Sequence, residues 1–305
     1  MQTVRGIESP PPESAGGVLA LGVFDGIHLG HRKILGIAVD RARDLGVASL
    51  ACTFDPRPAE VLQPERAPVP ITTLEERLEL IAEAGVQVTI VLPFTTALAG
   101  MEPEVFIEEV LLRRLGVHEI VVGFNHRFGR EARGDTALLE TLAARLGFRA
   151  HVVSPLIVDG GVVSSTEIRA ALQRGDLDRA QRLLGREYSL GGEVVRGAGR
   201  GRLLGFPTAN VKPDRLPLIP LGVFACWAWV GGTRLRAVVN VGHQPTFGEN
   251  AVAIEAHLLD FEGDIYGCRV RLAFVRRLRA EMKFPSVEAL RKQIGADAAE
   301  ARSLL

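Results

Sequence analysis

The 305-residue sequence predicts two domains: an α/β domain with a doubly wound parallel sheet, and a small antiparallel β-barrel that ends in a helix. Three observations predict this fold class. Up to about residue 186, short apolar runs alternate with helical periodicity, which is typical of right-handed βαβ units. Beyond residue 186, alternating apolar runs are separated by glycine and proline, and helical patterns nearly vanish. The length also exceeds the usual size of one domain.

The elements of the first domain follow in chain order. Strands are predicted over 18–24, 47–54, 86–92, 119–123 and 149–154, and helices over 31–45, 74–84, 103–115 and 136–146. Pro103 suits the first turn of the third helix, where a missing N–H is tolerated. The segment 1–16 contains three consecutive prolines and no apolar core, so we expect a flexible lead rather than a signal peptide.

The second domain is predicted from the alternating runs. They predict strands over 187–196, 222–230, 234–241, 252–259 and 268–276, and an amphipathic helix around 286–294. Antiparallel strands with short connections can close into a barrel that the last helix covers. We therefore place the domains at 17–185 and 186–305.

Composition restricts the class of protein. Hydrophobic residues make up 47% of the chain, which is ordinary for a globular protein with a core. The net charge of +0 argues weakly against nucleic acid as the main partner. No apolar stretch approaches membrane-spanning length. The three isolated cysteines, Cys52, Cys226 and Cys268, favour a reducing compartment over a disulfide framework or a zinc site. We expect a cytoplasmic protein without membrane or nucleic-acid partners, and the sequence leaves a weak homo-oligomer open.

The loop after the first predicted strand is the strongest candidate site. His28 and His31 are three residues apart at the start of a helix, so they share a face. The amides and the positive dipole end of a helix N-terminus attract anions. Glycines let the backbone approach a ligand closely, and here they are Gly22, Gly26 and Gly30. The loop therefore predicts a phosphate site; the alternative is a glycine-rich turn whose histidines only cap or pack.

Two more segments of the first domain carry polar residues that could contact phosphates. Asn125, His126 and Arg127 follow the strand 119–123, at the edge where doubly wound sheets bind ligands, although an ordinary polar loop also explains them.

Ser165, Thr166 and Arg169 open a predicted helix and are available to phosphate oxygens. Ser164 and Glu167 in the same segment also match a capping box, and both interpretations can hold together. By contrast, we interpret the proline-rich loop 53–58 as mainly structural.

The second domain has a glycine- and arginine-rich segment, 197–205, that leads into Phe206-Pro207-Thr208-Ala209-Asn210. No helix follows these glycines, so a dinucleotide-binding loop is disfavoured. Thr208 and Asn210 are two apart on extended chain and could share a hard cation such as Mg²⁺, while a simple turn is the alternative.

Glu255 lies on the opposite strand face from Ile254. It could accept a proton in phosphoryl transfer, or it could be an ordinary solvated residue.

Motifs in a fixed order carry a resemblance to a known family. They are Phe-Asp-Gly-x-His-x-Gly-His at 24–31, Thr-Phe-Asp-Pro at 53–56, Arg-Phe-Gly at 127–129, Ser-Ser-Thr-x-Ile-Arg at 164–169, Leu-Leu-Gly-Arg at 183–186, Gly-Arg-x-Leu-Gly-Phe-Pro-Thr-Ala-Asn at 201–210, Asn-Val-Gly at 240–242, Pro-Thr-Phe at 245–247, Leu-Asp-Phe at 259–261 and Tyr-Gly at 266–267. From about residue 17 to 300, the sequence resembles the prokaryotic bifunctional riboflavin kinase/FMN adenylyltransferase family, also called FAD synthetase. Arg57 and His126 depart from the family pattern, which commonly has histidine and an aromatic residue there.

The resemblance implies a Rossmann-like nucleotidyltransferase domain that adenylylates FMN to FAD and releases pyrophosphate, and a barrel that phosphorylates riboflavin. It implies ATP, riboflavin and FMN as small-molecule partners, with Mg²⁺ held by Thr208 and Asn210. His28, His31 and Glu255 would be catalytic. Nucleotide and phosphate binding is implied for Gly22, Phe24, Asp25, Gly26, Gly30, Asn125, Arg127, Ser165, Thr166 and Arg169, and for Gly197, Gly199, Arg200, Gly201, Gly205, Phe206, Pro207 and Asn240.

Two other functions are weighed against this one. A nucleotidyltransferase for another phosphorylated alcohol would share the loop at 24–31 but would not account for residues 197–260. A non-catalytic flavin-binding sensor could keep the fold, but the intact His28, His31, Thr208 and Glu255 argue against it.

Overall fold

The computed structural model describes residues 1–8, 11–197, 201, 204–243 and 252–305. The chain divides into two compact units, residues 1–165 and 166–305. Within the described ranges, no helix is long and apolar enough to cross a membrane.

The first unit is built on a six-stranded sheet in which every pair is parallel. Its strands are β1 (Gln2–Arg5), β2 (Val18–Leu21), β3 (Ser49–Phe54), β4 (Val88–Leu92), β5 (Glu119–Gly123) and β6 (Arg149–Val153). The order is β1-β4-β3-β2-β5-β6, so the chain reverses its winding direction between β2 and β5. The predicted doubly wound parallel sheet is confirmed. Such a reversal is where ligands bind, beyond the carboxyl ends of the strands.

Helices cover both faces of this sheet. They are α1 (Leu29–Leu45), α2 (Pro58–Leu62), α3 (Leu74–Glu83), α4 (Thr96–Ala99), α5 (Pro103–Val105), a π-helix (Phe106–Arg114) that continues α5, and α6 (Thr136–Leu146). Successive strand residues face opposite sides. Val18 and Ala20 therefore pack in the core with α1, while Leu19 and Leu21 pack with Phe106 and the π-helix.

Three local features of the first unit differ from the expectation. Residues 2–5 are not part of a flexible lead, because they pair with β4 as an edge strand. The segment 103–115 is a helix, as predicted, but from Phe106 it has π rather than α geometry. A small hairpin, β7 (Ile157–Val158) and β8 (Gly161–Val162), was not predicted.

The second unit is a closed antiparallel barrel. Its elements are α7 (Ser165–Arg174), which begins at the division, α8 (Leu177–Leu184), β9 (Tyr188–Val195), β10 (Ala209–Pro213), β11 (Gly222–Val230), β12 (Thr233–His243), β13 (Val252–Leu258), β14 (Arg269–Arg279) and α9 (Val287–Leu304). The strand order around the barrel is β10-β13-β12-β11-β14-β9. Phe224 and Phe274 are buried with their rings edge to face, 5.4 Å apart. Val223 and Ala225 on the other strand face pack against Ala298 and Ala301 of α9. The predicted barrel with a terminal helix is confirmed.

Candidate active sites

The two histidines of the first unit lie at the N-terminus of α1, directly after β2 and its loop. His28 is the N-cap residue, and its Nδ1 accepts a hydrogen bond from the backbone N–H of His31 at 3.1 Å. The two imidazole rings are stacked with their centroids 3.6 Å apart. His28 is 6% exposed and His31 is half-buried. The structure thus places both histidines side by side at the strand edge where the sequence predicts a phosphate site.

The environment keeps His31 uncharged. Burial lowers the pKa of His31 well below its ordinary value, and charge interactions with His28 and Arg77 lower it further. A protonated pair of stacked imidazoles would also suffer direct repulsion. At neutral pH the ring of His31 is therefore a hydrogen-bonding group rather than a cation.

Glycines of this loop make room for the protein's own side chains. A Cβ on Gly22 would lie 3.1 Å from the ring of Phe24, and one on Gly30 would lie 3.2 Å from the ring of His28. Gly26 has φ +86°, which favours glycine. Phe24 is 0% exposed, and its predicted contact with a nucleotide stays a prediction. Close approach of these backbones to a ligand stays a prediction.

Asp25 holds the loop in place. Its Oδ1 accepts hydrogen bonds from the backbone N–H groups of Ile71 (2.9 Å) and Thr72 (3.1 Å), and its Oδ2 pairs with Nη1 of Arg57 at 3.1 Å. Arg57 also donates to Glu60 at 2.7 Å. These contacts show that Asp25 and Arg57 position the loop. The predicted role of Asp25 in nucleotide binding and the structural interpretation of the loop 53–58 stay predictions.

Sequence reasoning missed Arg77 of α3. It is buried, and its Nη1 donates to Val23 O, Thr53 Oγ1 and Phe54 O at 3.1, 2.9 and 3.0 Å. One signal was present, because Arg77 occupies the same helical face as the buried Leu74 and Ile81. An arginine in an apolar stripe indicates a specific buried contact.

The loop after β5 presents Asn125 and Arg127 to solvent, with Phe124 exposed beside them. His126 differs, because its Nε2 is buried and lacks a hydrogen-bond partner within the described residues. Burial lowers the pKa of His126 to about 4. Since β5 is the neighbour of β2, this loop and the two histidines lie on adjacent strand ends.

Ser165 is the last of the predicted phosphate contacts that belong to the first unit. Its Oγ donates to the backbone oxygen of Asp25 at 2.9 Å, so Ser165 itself lies beside the histidine loop. Thr166 and Arg169 follow on the same helix and belong to the second unit, and their role in phosphate binding stays a prediction.

In the second unit, three polar side chains form a row across the barrel. Glu255 on β13 pairs directly with Asn210 on β10 and with Asn240 on β12. Directly paired residues on antiparallel strands project from the same face, with Cβ atoms about 4.5–5.5 Å apart. The neighbours Ile254 and Ala256 are buried inside the barrel, so this row lies on the outer face. The register therefore brings together the residues predicted as base, metal ligand and nucleotide contact.

Two described glycines of the glycine-rich segment, Gly197 and Gly201, lie close to Asn210 and Thr208. A Cβ on Gly197 would overlap the amide of Asn210, and one on Gly201 would lie 2.9 Å from Thr208 Oγ1. Thr208 and Asn210 thus face the same segment, as their spacing predicts. The predicted contacts Gly199 and Arg200 fall outside the described residues, as does the motif at 245–247.

Phe206 and Pro207 are held by a turn and by a histidine that the sequence did not single out. The N–H of Phe206 donates to Gly201 O at 2.9 Å, and Nδ1 of His257 lies 2.8 Å from Pro207 O. His257 is two residues after Glu255 on the same strand face, which was the available signal. Gly205 has φ +83° and forms part of this turn.

No group of three or more His, Cys, Asp or Glu side chains in the described part of the chain could hold a metal ion. A cation would instead have to use neutral oxygens such as Thr208 Oγ1 and Asn210 Oδ1, together with phosphate oxygens. This donor set fits Mg²⁺, which prefers hard oxygen ligands and keeps few protein contacts.

Comparison with known proteins agrees with this arrangement. A family model described as FAD synthetase matches residues 11–167, and one described as riboflavin kinase matches residues 184–305. The chain is 38% identical to the bifunctional riboflavin kinase/FMN adenylyltransferase of Pseudomonas fluorescens, across 100% of this chain and 98% of that protein. It is 37% identical to the protein of the same name from Bacillus subtilis, across 95% and 92% of the two chains.

A solved structure has the same architecture along the whole chain. It is 30% identical and superposes with a TM-score of 0.90 over 99% of both chains. Its title describes a macrolide-efflux protein from Streptococcus pneumoniae.

Proposed function

The chain belongs to the bifunctional riboflavin kinase/FMN adenylyltransferase family, and we infer that each of its two compact units uses its own cluster of residues for one of the two reactions. The observation that carries this proposal is the separation of the two clusters. The stacked histidines lie in the first unit, and the row of Asn210, Glu255 and Asn240 lies in the second.

In the second unit, the 5′-hydroxyl of riboflavin attacks the γ-phosphorus of ATP, the bond to the bridging oxygen of ADP breaks, and FMN forms. Glu255 accepts the hydroxyl proton as the attack proceeds. The amides of Asn210 and Asn240 flank this carboxylate and orient the reacting groups. The glycine-rich segment closes over the nucleotide, with Gly197 and Gly201 leaving room for Asn210 and Thr208.

Thr208 and Asn210 would hold Mg²⁺ in this site. When bound, the ion neutralises phosphate charge during transfer.

In the first unit, a phosphate oxygen of FMN attacks the α-phosphorus of a second ATP, pyrophosphate leaves, and FAD forms. No protein nucleophile is needed, so catalysis depends on positioning and on donors aimed at the phosphates. His28 and His31 supply such donors beside the amides of the α1 N-terminus. Asn125 and Arg127 at the end of β5, together with Ser165, bind the remaining phosphate oxygens and the nucleotide.

The proposed catalytic domains extend over 17–185 and 186–305, and the protein acts in the cytoplasm on small molecules. Limited proteolysis of the full chain tests the boundary. Cleavage near residue 186 would support it, and cleavage concentrated near residue 165 would contradict it.

The site assignments are tested by incubating variants with riboflavin or FMN, ATP and Mg²⁺ and separating the flavins by chromatography. Glu255→Gln should form no FMN from riboflavin yet convert supplied FMN to FAD. His31→Ala should form FMN and stop there. Glu193→Gln is the matched control, because Glu193 is an exposed glutamate on another strand of the same barrel, β9. Loss of both activities in each variant would contradict separate sites.

A further inference from the structure

Arg77 is a buried arginine that the proposed chemistry does not yet use. It is 2% exposed, and its Nη1 donates to acceptors at the carboxyl ends of β2 and β3. One of these acceptors is the carbonyl oxygen of Val23, the residue before Phe24. Phe24 in turn packs its ring against His31 edge to face, with centroids 5.3 Å apart. The guanidinium of Arg77 therefore lies beside the loop that carries the histidines.

Two buried polar atoms in this region lack a hydrogen-bond partner within the described residues. They are Nε of Arg77 and Nδ1 of His31. Leaving a buried polar atom unpaired destabilises the folded state, so such atoms are normally satisfied by protein or by ordered water. The two atoms are complementary, because Nε of arginine only donates and Nδ1 of a neutral histidine can accept. Arg77 also acts on His31 through its charge, as one of the causes that lower the histidine pKa.

We propose that Arg77 is a positioning residue that fixes the tautomer of His31. Its Nε–H and the lone pair on His31 Nδ1 are bridged by one ordered water, so the proton of the neutral imidazole lies on Nε2. The hydrogen bond made at one ring nitrogen decides which nitrogen is protonated. A water that accepts from Nε–H and donates to Nδ1 satisfies both atoms and has the two partners that a buried water needs.

The same logic holds for His28 without a water. Its Nδ1 accepts from the backbone N–H of His31, so a neutral His28 also carries its proton on Nε2. Both of the stacked rings then carry their donor at Nε2–H. This step rests on the proposed adenylyltransferase function, in which these donors stabilise phosphate oxygens. A neutral donor pair also avoids the repulsion that two adjacent imidazolium rings would create.

The test is the ¹⁵N chemical shifts of the His31 ring in the full-length protein with labelled histidine. The wild type should show Nε2 protonated and Nδ1 unprotonated at neutral pH. Arg77→Gln should mix the two tautomers and lower kcat for FAD formation by about 10- to 100-fold, with a smaller change in KM for ATP, since a donor to the transition state is misplaced. Arg77→Lys, which keeps a charged donor, should recover part of the rate.

Two controls separate positioning from folding. Riboflavin kinase activity reports on the other unit of the same molecule and should be unchanged. Thr53→Val removes one acceptor of Arg77 Nη1 without touching Nε, so it should keep the wild-type ring shifts and most of the FAD formation.

Three results would overturn the inference: a wild-type His31 protonated on Nδ1, an Arg77→Gln variant with unchanged ring shifts, or equal losses in Thr53→Val and Arg77→Gln. The ¹⁵N shifts of the His31 ring in the wild type test its tautomer even if Arg77→Gln does not fold. Failure of the underlying function is distinguishable, because the wild type would then form no FAD, or His31→Ala would retain full FAD formation.

Discussion

Replacing Arg57 by methionine should destabilise the first unit and leave the barrel unaffected. Arg57 pairs with Asp25 at 3.1 Å, and the side chains are 6% and 5% exposed. Removing one partner of a buried pair costs about 3–5 kcal/mol, because the other charge remains buried without compensation. Asp25 keeps its hydrogen bonds from Ile71 and Thr72, so we expect the lower end, about 3 kcal/mol.

The assay uses the distribution of aromatic residues. Both tryptophans of the chain, Trp227 and Trp229, lie in the barrel, so tryptophan fluorescence during urea unfolding reports on the second unit only. Far-ultraviolet circular dichroism reports on both units. The Arg57→Met variant should lower the midpoint of the first unit's transition in circular dichroism and leave the fluorescence transition in place.

Arg113→Met is the matched control, because Arg113 is 65% exposed and pairs with Glu109 on the surface of the π-helix. Its loss should cost less than about 1 kcal/mol. The reasoning is refuted if Arg57→Met costs no more than this control, or if the fluorescence transition moves with it.

Three more predictions follow from the same structure. Gly197→Ala should reduce FMN formation at least tenfold and leave conversion of FMN to FAD intact, because the new Cβ overlaps the amide of Asn210; flavin chromatography measures both, and equal loss of the two activities would contradict it. The pKa of Glu119 is lowered, chiefly by hydrogen bonds from Arg41, so this carboxylate stabilises the first unit above its ordinary pKa near 4.5 and the contribution is lost as pH falls through its lower folded value. Glu119→Gln should therefore reduce the loss of unfolding free energy as pH falls, which urea unfolding at several pH values measures. An unchanged pH dependence would contradict a stabilising pair between Glu119 and Arg41. Phe224→Ala should cost about 3–5 kcal/mol in the barrel, because its fully buried ring leaves a cavity; a fluorescence transition within 1 kcal/mol of wild type would show that the ring is not part of a packed core.

The sequence was sufficient to predict secondary structure where burial follows a regular period along the chain. Each strand β2 to β6 overlaps a predicted strand, because both faces of a parallel sheet are covered and its strands are continuously apolar. The barrel strands β9, β11, β12, β13 and β14 were found from alternation. The histidine loop and Glu255 were also placed correctly relative to their strands, since motif position and strand ends are both local features.

Short or polar elements were missed for a physical reason. β1 is four residues long and mostly exposed, and its pairing depends on β4, which is far along the chain. β10 contains Asn210, Lys212 and Pro213, so its composition does not indicate a strand. The helix α8 was also missed, although its leucines recur at helical spacing and that pattern could have predicted it.

The contacts that organise the sites were not predictable from local patterns. Asp25 meets Arg57 and Thr72 across 32 and 47 residues of chain, and Arg77 meets Val23 across 54. The row of Asn210, Glu255 and Asn240 depends on the register of three strands. Such pairings are set by tertiary structure, which one sequence does not encode as a periodic signal.

The measurement that tests the central claim most directly is a mixing experiment. Glu255→Gln and His31→Ala are each incubated with riboflavin, ATP and Mg²⁺, alone and together, and the flavins are separated. Two sites working in series predict no FAD from either variant alone and restored FAD from the mixture, because FMN released by one variant is used by the other. FAD from a single variant, or none from the mixture although His31→Ala releases FMN, would contradict the account.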